Sequence, residues 1–271
     1  MLQIITDSSA EFSEEEAREL GIKIVPLTVV FDGTAYLEGV ELQKDEFFRR
    51  LLSGEFPHTS QPSVEQFSEA FAAAGGEETL VILISSSLSG TVNSARVAKK
   101  QGGFSNVYIY DSLCTTAMMR ILVETAYRNR DKSAAEVIGI LDELRSRLRL
   151  YACLDTLEYL RKGGRIKRSI AVVGGLLGIK PIICITPEGT VGMDGKERGQ
   201  KHALKAVADR FIADEVDPAY PVYFLQSEGE EAPRALMKSL GREDNKLFRI
   251  CCAVGTHIGP NGAGIVYVVK K

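Results

Sequence analysis

Thr79-Leu80-Val81-Ile82-Leu83-Ile84 carries no charge, and Ser85-Ser86-Ser87-Leu88-Ser89-Gly90-Thr91 follows it directly. A short continuous apolar run bounded by turn residues is the pattern of a strand buried on both faces, as in the middle of a parallel sheet. The serine-rich stretch then reads as a loop entering a helix that starts near Thr91 and runs to about Lys100. Free N–H groups at such a helix start, joined by hydroxyl donors, attract a carboxylate or phosphate. The same serines also suit a plain helix cap, so the loop alone leaves both readings open.

Working outward, residues 2–5 form a second apolar strand ending in Thr6-Asp7-Ser8-Ser9, and residues 107–110 a third ending in Asp111-Ser112. Helices are expected over 14–20, 45–52, 63–74, 116–128 and 133–149. Two of them open with capping boxes, Ser63 with Gln66 and Ser133 with Glu136. Residues 22–31 read as one extended segment and 58–62 as a loop. Alternating strands and helices predict a parallel α/β sheet, with ligands at the carboxyl ends of its strands. From Tyr151 the pattern changes. A strand over 151–154 leads to a helix through Leu157 and Leu160, stopped by Gly163-Gly164. A hairpin follows, 181–185 with 190–193, turned at Pro187-Glu188-Gly189. Helices over 201–213 and 232–240 and strands near 222–225, 248–254 and 263–269 complete an α+β pattern. The expected organisation is an α/β/α domain over residues 1–150 and a smaller α+β domain over 151–271.

Composition narrows the function. The chain has 271 residues, with 33 Lys plus Arg against 36 Asp plus Glu and a net charge of −3. That balance argues against nucleic acid as a partner. The longest uncharged apolar stretch, residues 170–179, is far short of the roughly 20 residues a membrane helix needs. Met1 enters an apolar run at once, with no signal-like segment, and the five scattered cysteines suit a reducing compartment, so a cytoplasmic location is expected. Walker A, GxGxxG and GxSxG patterns are absent, and histidines and carboxylates do not cluster, so neither a nucleotide cofactor nor a metal is expected. Of the three histidines, His202 reads as a surface residue, while His257 sits in what reads as a glycine-rich loop, Gly255-Thr256-His257-Ile258-Gly259-Pro260. Arg165, after Gly163-Gly164, lies in a basic cluster with Lys162, Lys167 and Arg168, and a guanidinium there suits an anion. Lys196, Arg198, Lys201 and Lys205 form a second cluster, either a solvated helix face or a dock for an acidic partner.

Taken in order, several motifs resemble those of the DegV family of fatty-acid-binding proteins across essentially the whole chain. They are Ile5-Thr6-Asp7-Ser8-Ser9-Ala10, Thr59-Ser60-Gln61-Pro62-Ser63, Leu88-Ser89-Gly90-Thr91, Asp111-Ser112, Asp155-Thr156-Leu157-Glu158-Tyr159-Leu160, Gly163-Gly164-Arg165-Ile166, Ile179-Lys180-Pro181-Ile182 and His257-Ile258-Gly259-Pro260. The resemblance implies two domains with a long apolar tunnel between them holding one fatty acid. It implies a carboxylate bound near Thr59, Ser89 and Gly90, with Arg165 and His257 at the same pole. It further implies that the protein is not itself an enzyme but presents the carboxylate to an ATP-dependent fatty-acid kinase for acyl phosphate formation. Arg198 corresponds approximately to a kinase-docking residue. The chain departs from the pattern at Val92, at Met118 and Met119, and at Asn261. The alternative is a hydrolase or phosphotransferase acting on a small anion through Ser89 or His257, with Asp7 or Asp111 completing a triad.

Overall fold

A computed structural model of the chain describes residues 1–167 and 178–271. Arg168 and most of the apolar run 170–179 therefore lie outside the described residues. In chain order the first part contains β1 (Gln3–Asp7), α1 (Glu14–Leu20), β2 (Ile22–Val25), β3 (Thr28–Phe31), β4 (Thr34–Leu37), α2 (Lys44–Leu52), β5 (His58–Ser60), α3 (Val64–Ala73), β6 (Thr79–Leu83), α4 (Thr91–Gly102), β7 (Val107–Asp111), α5 (Thr116–Arg128) and α6 (Ala134–Arg147). The remainder contains β8 (Leu148–Cys153), α7 (Glu158–Lys162), β9 (Ile179–Ile185), β10 (Val191–Arg198), α8 (Gln200–Ala213), β11 (Tyr223–Gln226), α9 (Glu231–Ser239), β12 (Leu247–Arg249), α10 (Cys252–Ile258) and β13 (Ala263–Val268).

The fully buried strand β6 lies inside a parallel sheet of order β2-β1-β6-β7, in which Thr6 pairs with Ile82 and Leu83 with Asp111. Side chains alternate between its faces, as the two-residue strand period requires. Ile5, Val81 and Leu83 meet Phe67, Phe71, Val92 and Ala95 of α3 and α4, whereas Ile4, Leu80 and Ile82 turn toward α5. From β8 onward the strands form a mixed sheet of order β10-β9-β8-β13-β11-β12. Leu150, Leu225 and Val266 face the α5 side, and Phe224, Ile265 and Tyr267 pack against α8 and α9. The result is an α/β fold with a parallel sheet and additional sheets.

Helix α5 is the shared layer, since it packs on β1 and β6 and also on β8 and β13. Ten of its residues are buried, including Met118 and Met119. A helix apolar on all sides belongs in such a place. Its one buried cation, Arg120, is neutralised by Glu16 at 2.9 Å and Glu124 at 2.8 Å.

Three expectations are corrected. Residues 22–31 are not one segment, because Pro26, which has no N–H for a ladder, separates β2 in the parallel sheet from β3 in a third, antiparallel sheet of order β4-β3-β5. The expected loop at 58–62 contains β5, whose Thr59 pairs with Val29. The expected strand over 248–254 ends at Arg249, and residues 252–258 are helix α10, so His257 is helical rather than in a loop. A short apolar run such as Ile250-Cys251-Cys252-Ala253-Val254 does not by its pattern distinguish strand from helix.

Helix α10 lies against α2 and depends on a missing side chain. A Cβ on Gly255 would lie 2.8 Å from Phe47 and 3.2 Å from Phe48, two rings with no exposed surface. Neither ring has room to retreat. Gly255→Ala is therefore expected to destabilise the fold by about 1–3 kcal/mol, read as a lower urea midpoint with unchanged slope.

Candidate functional site

The site is assembled from three directions. Helix α10 supplies His257, and its start is held by two buried carboxylates from the first forty residues. Glu11 accepts from the Cys251 N–H at 2.9 Å, and Glu38 accepts from the Ala253 N–H at 3.3 Å. Carboxylates at a helix N-terminus meet both its free N–H groups and its positive dipole end. Lys44 donates to Glu11 at 3.1 Å, and Ser8 donates to Glu38 at 2.9 Å. Burial pushes both carboxyls above their ordinary range, and the neighbouring Glu11 charge adds to the rise at Glu38.

At the other end of α10, His257 Nε2 lies 2.9 Å from Thr59 Oγ1 on β5. Burial, followed by the Arg165 and His58 charges, lowers the His257 pKa to about 4, so the ring is neutral at pH 7. Nδ1 is buried without a partner among the described residues. An unpaired acceptor costs less than an unpaired N–H, which favours the proton on Nε2. His257 then donates to Thr59, and the Thr59 hydroxyl proton is left to point elsewhere.

The glycine motifs now have a physical reason. A Cβ on Gly163 would sit 2.1 Å from His257 Nδ1, and one on Gly259 would sit 2.3 Å from the Tyr159 ring. Helix α7 and its glycine stop thus interlock with the end of α10, Gly163 leaving space for the His257 ring and Gly259 for the Tyr159 ring. Gly164, at φ +71, ends α7 in the left-handed conformation, and the Arg165 N–H closes back on the Leu160 carbonyl at 2.9 Å. The Arg165 side chain then donates to the Leu88 carbonyl at 3.0 Å and the Gly163 carbonyl at 2.6 Å. Burial lowers its pKa, and no carboxylate pairs with it among the described residues.

Ser89 meets Thr91 hydroxyl to hydroxyl at 2.8 Å, at the start of α4, which has no side-chain cap. Gly90 lets the Gln61 amide approach, since a Cβ there would lie 3.1 Å from it. The rest of the serine loop has another task. Ser85 donates to the Gly189 carbonyl and Ser87 to the Glu188 carbonyl, both at 2.8 Å, tying the loop to the β9–β10 turn.

Thr59, Ser89, Arg165 and His257 all line one cavity. Its walls are otherwise dominated by apolar side chains, among them Leu150, Leu154, Ile183, Val191, Leu225 and Ile258. Gly90 adjoins the cavity through its neighbours but does not line it, and Arg198, exposed at the end of β10, lies outside it. Val92, Met118, Met119 and Asn261 are not among the lining residues. Asn261 instead donates to Asp155 at 2.9 Å from a left-handed backbone, φ +59. Sequence reasoning missed Glu11 and Glu38, whose partners lie more than two hundred residues away. It also missed Thr115, Thr116 and Gln226, buried lining residues whose side-chain oxygens have no partner among the described residues, each a cost of roughly 1–3 kcal/mol if left unmet.

The geometry does not make a hydrolytic triad. Ser89 bonds Thr91 rather than His257, and among the described residues no acid stands behind His257 Nδ1. Asp7, with its pKa pushed by burial to about 6, accepts from Ser9 and from the Ile84 N–H at 2.7 Å. Asp111 accepts from the Ser86 and Leu113 N–H groups. Among the described residues no three His, Cys, Asp or Glu side chains group to hold a metal, and no helix is long and apolar enough to cross a membrane.

The depressed His257 pKa fixes the sign of one pH dependence. Between about 6.5 and about 4 the unfolded chain binds the proton that the folded ring refuses, so this contribution to stability is complete above 6.5 and is lost as pH falls through 4. In a proton NMR titration the His257 ring is expected to shift near pH 4. His257→Gln should remove that component of the acid-side stability loss.

The chain is similar to known proteins along its whole length. The family model that matches residues 1–270 is that of the DegV family, described as an uncharacterised protein family. A DegV domain-containing protein of Deinococcus radiodurans is 34% identical, with 97% of each chain covered. Another, from Caldanaerobacter subterraneus subsp. tengcongensis, is 31% identical over 99% of each. Among solved structures, a DegV family protein from Thermus thermophilus, described for its fatty acid binding, superposes with a TM-score of 0.88 at 29% identity, covering 99% of each chain. A fatty-acid-binding protein from Eubacterium ventriosum, described with stearic acid, gives 0.85 at 28% identity, covering 100% of this chain and 99% of the other. The match of residues 1–270 to one family model makes this protein a member of the DegV family.

Proposed function

We propose that the cavity binds one long-chain fatty acid, with the carboxylate at Thr59, Ser89 and Gly90 beside Arg165 and His257. The observation that carries this reading is Arg165. It is a half-buried guanidinium with no carboxylate partner among the described residues, and it lines a mostly apolar cavity that Thr59 and Ser89 also line. A half-buried cation with no counter-charge favours an anion, and an anion with a long apolar tail answers both the charge and the walls. Each buried methylene contributes about 0.8 kcal/mol, so ten give about 8 kcal/mol, the scale of micromolar affinity before the head group is counted. Fatty acids in solved DegV relatives support the same ligand class.

On this reading the protein is a carrier without catalysis of its own, built as an α/β unit (1–150) and an α+β unit (151–271) that close a tunnel around the tail. It works in the cytoplasm and offers the carboxylate to an ATP-dependent fatty-acid kinase, which forms the acyl phosphate. Arg198 is the docking residue, exposed on β10 beside Lys196. The neutral His257 suits the role of orienting the Thr59 hydroxyl toward the carboxylate rather than reacting itself.

Native mass spectrometry of the purified protein, followed by denaturation and identification of released small molecules, tests the reading. One fatty acid per chain is expected. An empty protein that also refuses added fatty acids overturns it. Thr59→Ala combined with Ser89→Ala should weaken fatty-acid affinity about tenfold or more, the scale of one or two lost charge-assisted hydrogen bonds, with the fold retained by circular dichroism. Arg198→Ala should slow kinase-dependent acyl phosphate formation while leaving fatty-acid affinity intact.

A further inference from the structure

Five buried side-chain polar atoms lack a hydrogen-bond partner among the described residues, and four of them belong to residues that line the cavity. One is His257 Nδ1, already part of the proposed head-group site. The other three are the hydroxyl oxygens of Thr115 and Thr116 and Oε1 of Gln226. Their residues are 7%, 3% and 9% exposed. Native proteins pair the large majority of such atoms, and three orphans lining one cavity point to a ligand group as their partner.

The fold brings them there from two walls. Thr115 is the N-cap of α5 but makes no capping bond, and Thr116 begins the helix at φ +50. Gln226 ends β11, where it pairs with Ala263 of β13, a strand on which α5 packs. Beside it Ser227 Oγ accepts from the Gly262 N–H at 2.6 Å and keeps its own proton to donate. None of Thr115, Thr116 and Gln226 bonds to Thr59, Ser89, Arg165 or His257 through its side chain.

We propose that Thr115, Thr116 and Gln226 form a second polar subsite in the cavity, which takes a hydroxyl group carried on the acyl chain of the ligand. This rests on the fatty-acid reading above and names the kind of fatty acid. The chemistry selects a hydroxyl. Among the described residues, Arg165 and His257 are the only lining residues that bear ionisable cationic groups, and both belong to the head-group site, so the second cluster is neutral and offers a second carboxylate no counter-charge. Gln226 Oε1 only accepts, which a keto oxygen cannot satisfy. A hydroxyl donates to it and at the same time accepts from a threonine.

The test is a positional scan by calorimetry, comparing hexadecanoic acid with hydroxyhexadecanoic acids substituted at successive carbons. Hydroxylation is expected to weaken binding at most carbons. At one carbon or two adjacent ones it should instead bind about tenfold tighter than at the flanking positions, and Thr115→Val, Thr116→Val and Gln226→Leu should each erase that advantage while keeping hexadecanoate affinity within about threefold. Melting temperatures identify any variant that fails to fold, and the other two substitutions then carry the test. Uniform weakening at every carbon overturns the subsite, because the orphan oxygens are then met by water. Equal loss for all acids, hydroxylated or not, in the threonine variants also overturns it and assigns these hydroxyls to the carboxylate. Failure of the wild-type protein to bind hexadecanoate or any of its hydroxy derivatives overturns the fatty-acid reading itself.

Discussion

Two carboxylates, Glu11 and Glu38, are taken out of water to close over the first turn of α10, and the geometry of the site follows from that placement. The arrangement is costly in isolation, since both groups are buried and share the single ammonium of Lys44. It holds because the helix start offers unpaired N–H groups that nothing else would satisfy. With its first turn fixed, α10 lies against Phe47 and Phe48, and its last turn carries His257 to Thr59 on β5. A contact between residue 59 and residue 257 is thus set by carboxylates from residues 11 and 38.

The second constraint is the burial of α5 between two sheets. A helix that packs on β1 and β6 on one side and on β8 and β13 on the other joins both parts of the chain through a continuous apolar core. Its N-terminus opens on the cavity, which is how Thr115 and Thr116 become buried without partners. Met118 and Met119 fill the core rather than the cavity.

Much of this was legible in the sequence. The capping boxes at Ser63 and Ser133 are present as expected, and α1, α3 and α5 begin and end within a residue of their predicted limits. Those signals are local, because a serine hydroxyl and a glutamine or glutamate three residues on are neighbours in any helix start. The glycines of the Gly163-Gly164-Arg165 and His257-Ile258-Gly259 motifs stood out as residues, but their reason did not. Gly163 yields to His257 and Gly259 to Tyr159, across about a hundred residues in each case.

By itself the sequence determined the alternation of strand and helix in the first half, the α+β character of the second, the helix caps, and through its motifs the family. These rest on period, turn chemistry and short-range hydrogen bonds, all carried by adjacent residues. Tertiary structure alone decided that residues 252–258 are helix, that residues 28–31 leave the parallel sheet, and that two serines of the 85–91 loop brace a hairpin turn. It also decided which polar atoms face the cavity without partners. The physical reason is common to all of these. A short apolar run, a buried carboxylate or an unpaired hydroxyl takes its state from what packs against it, and that partner lies far along the chain.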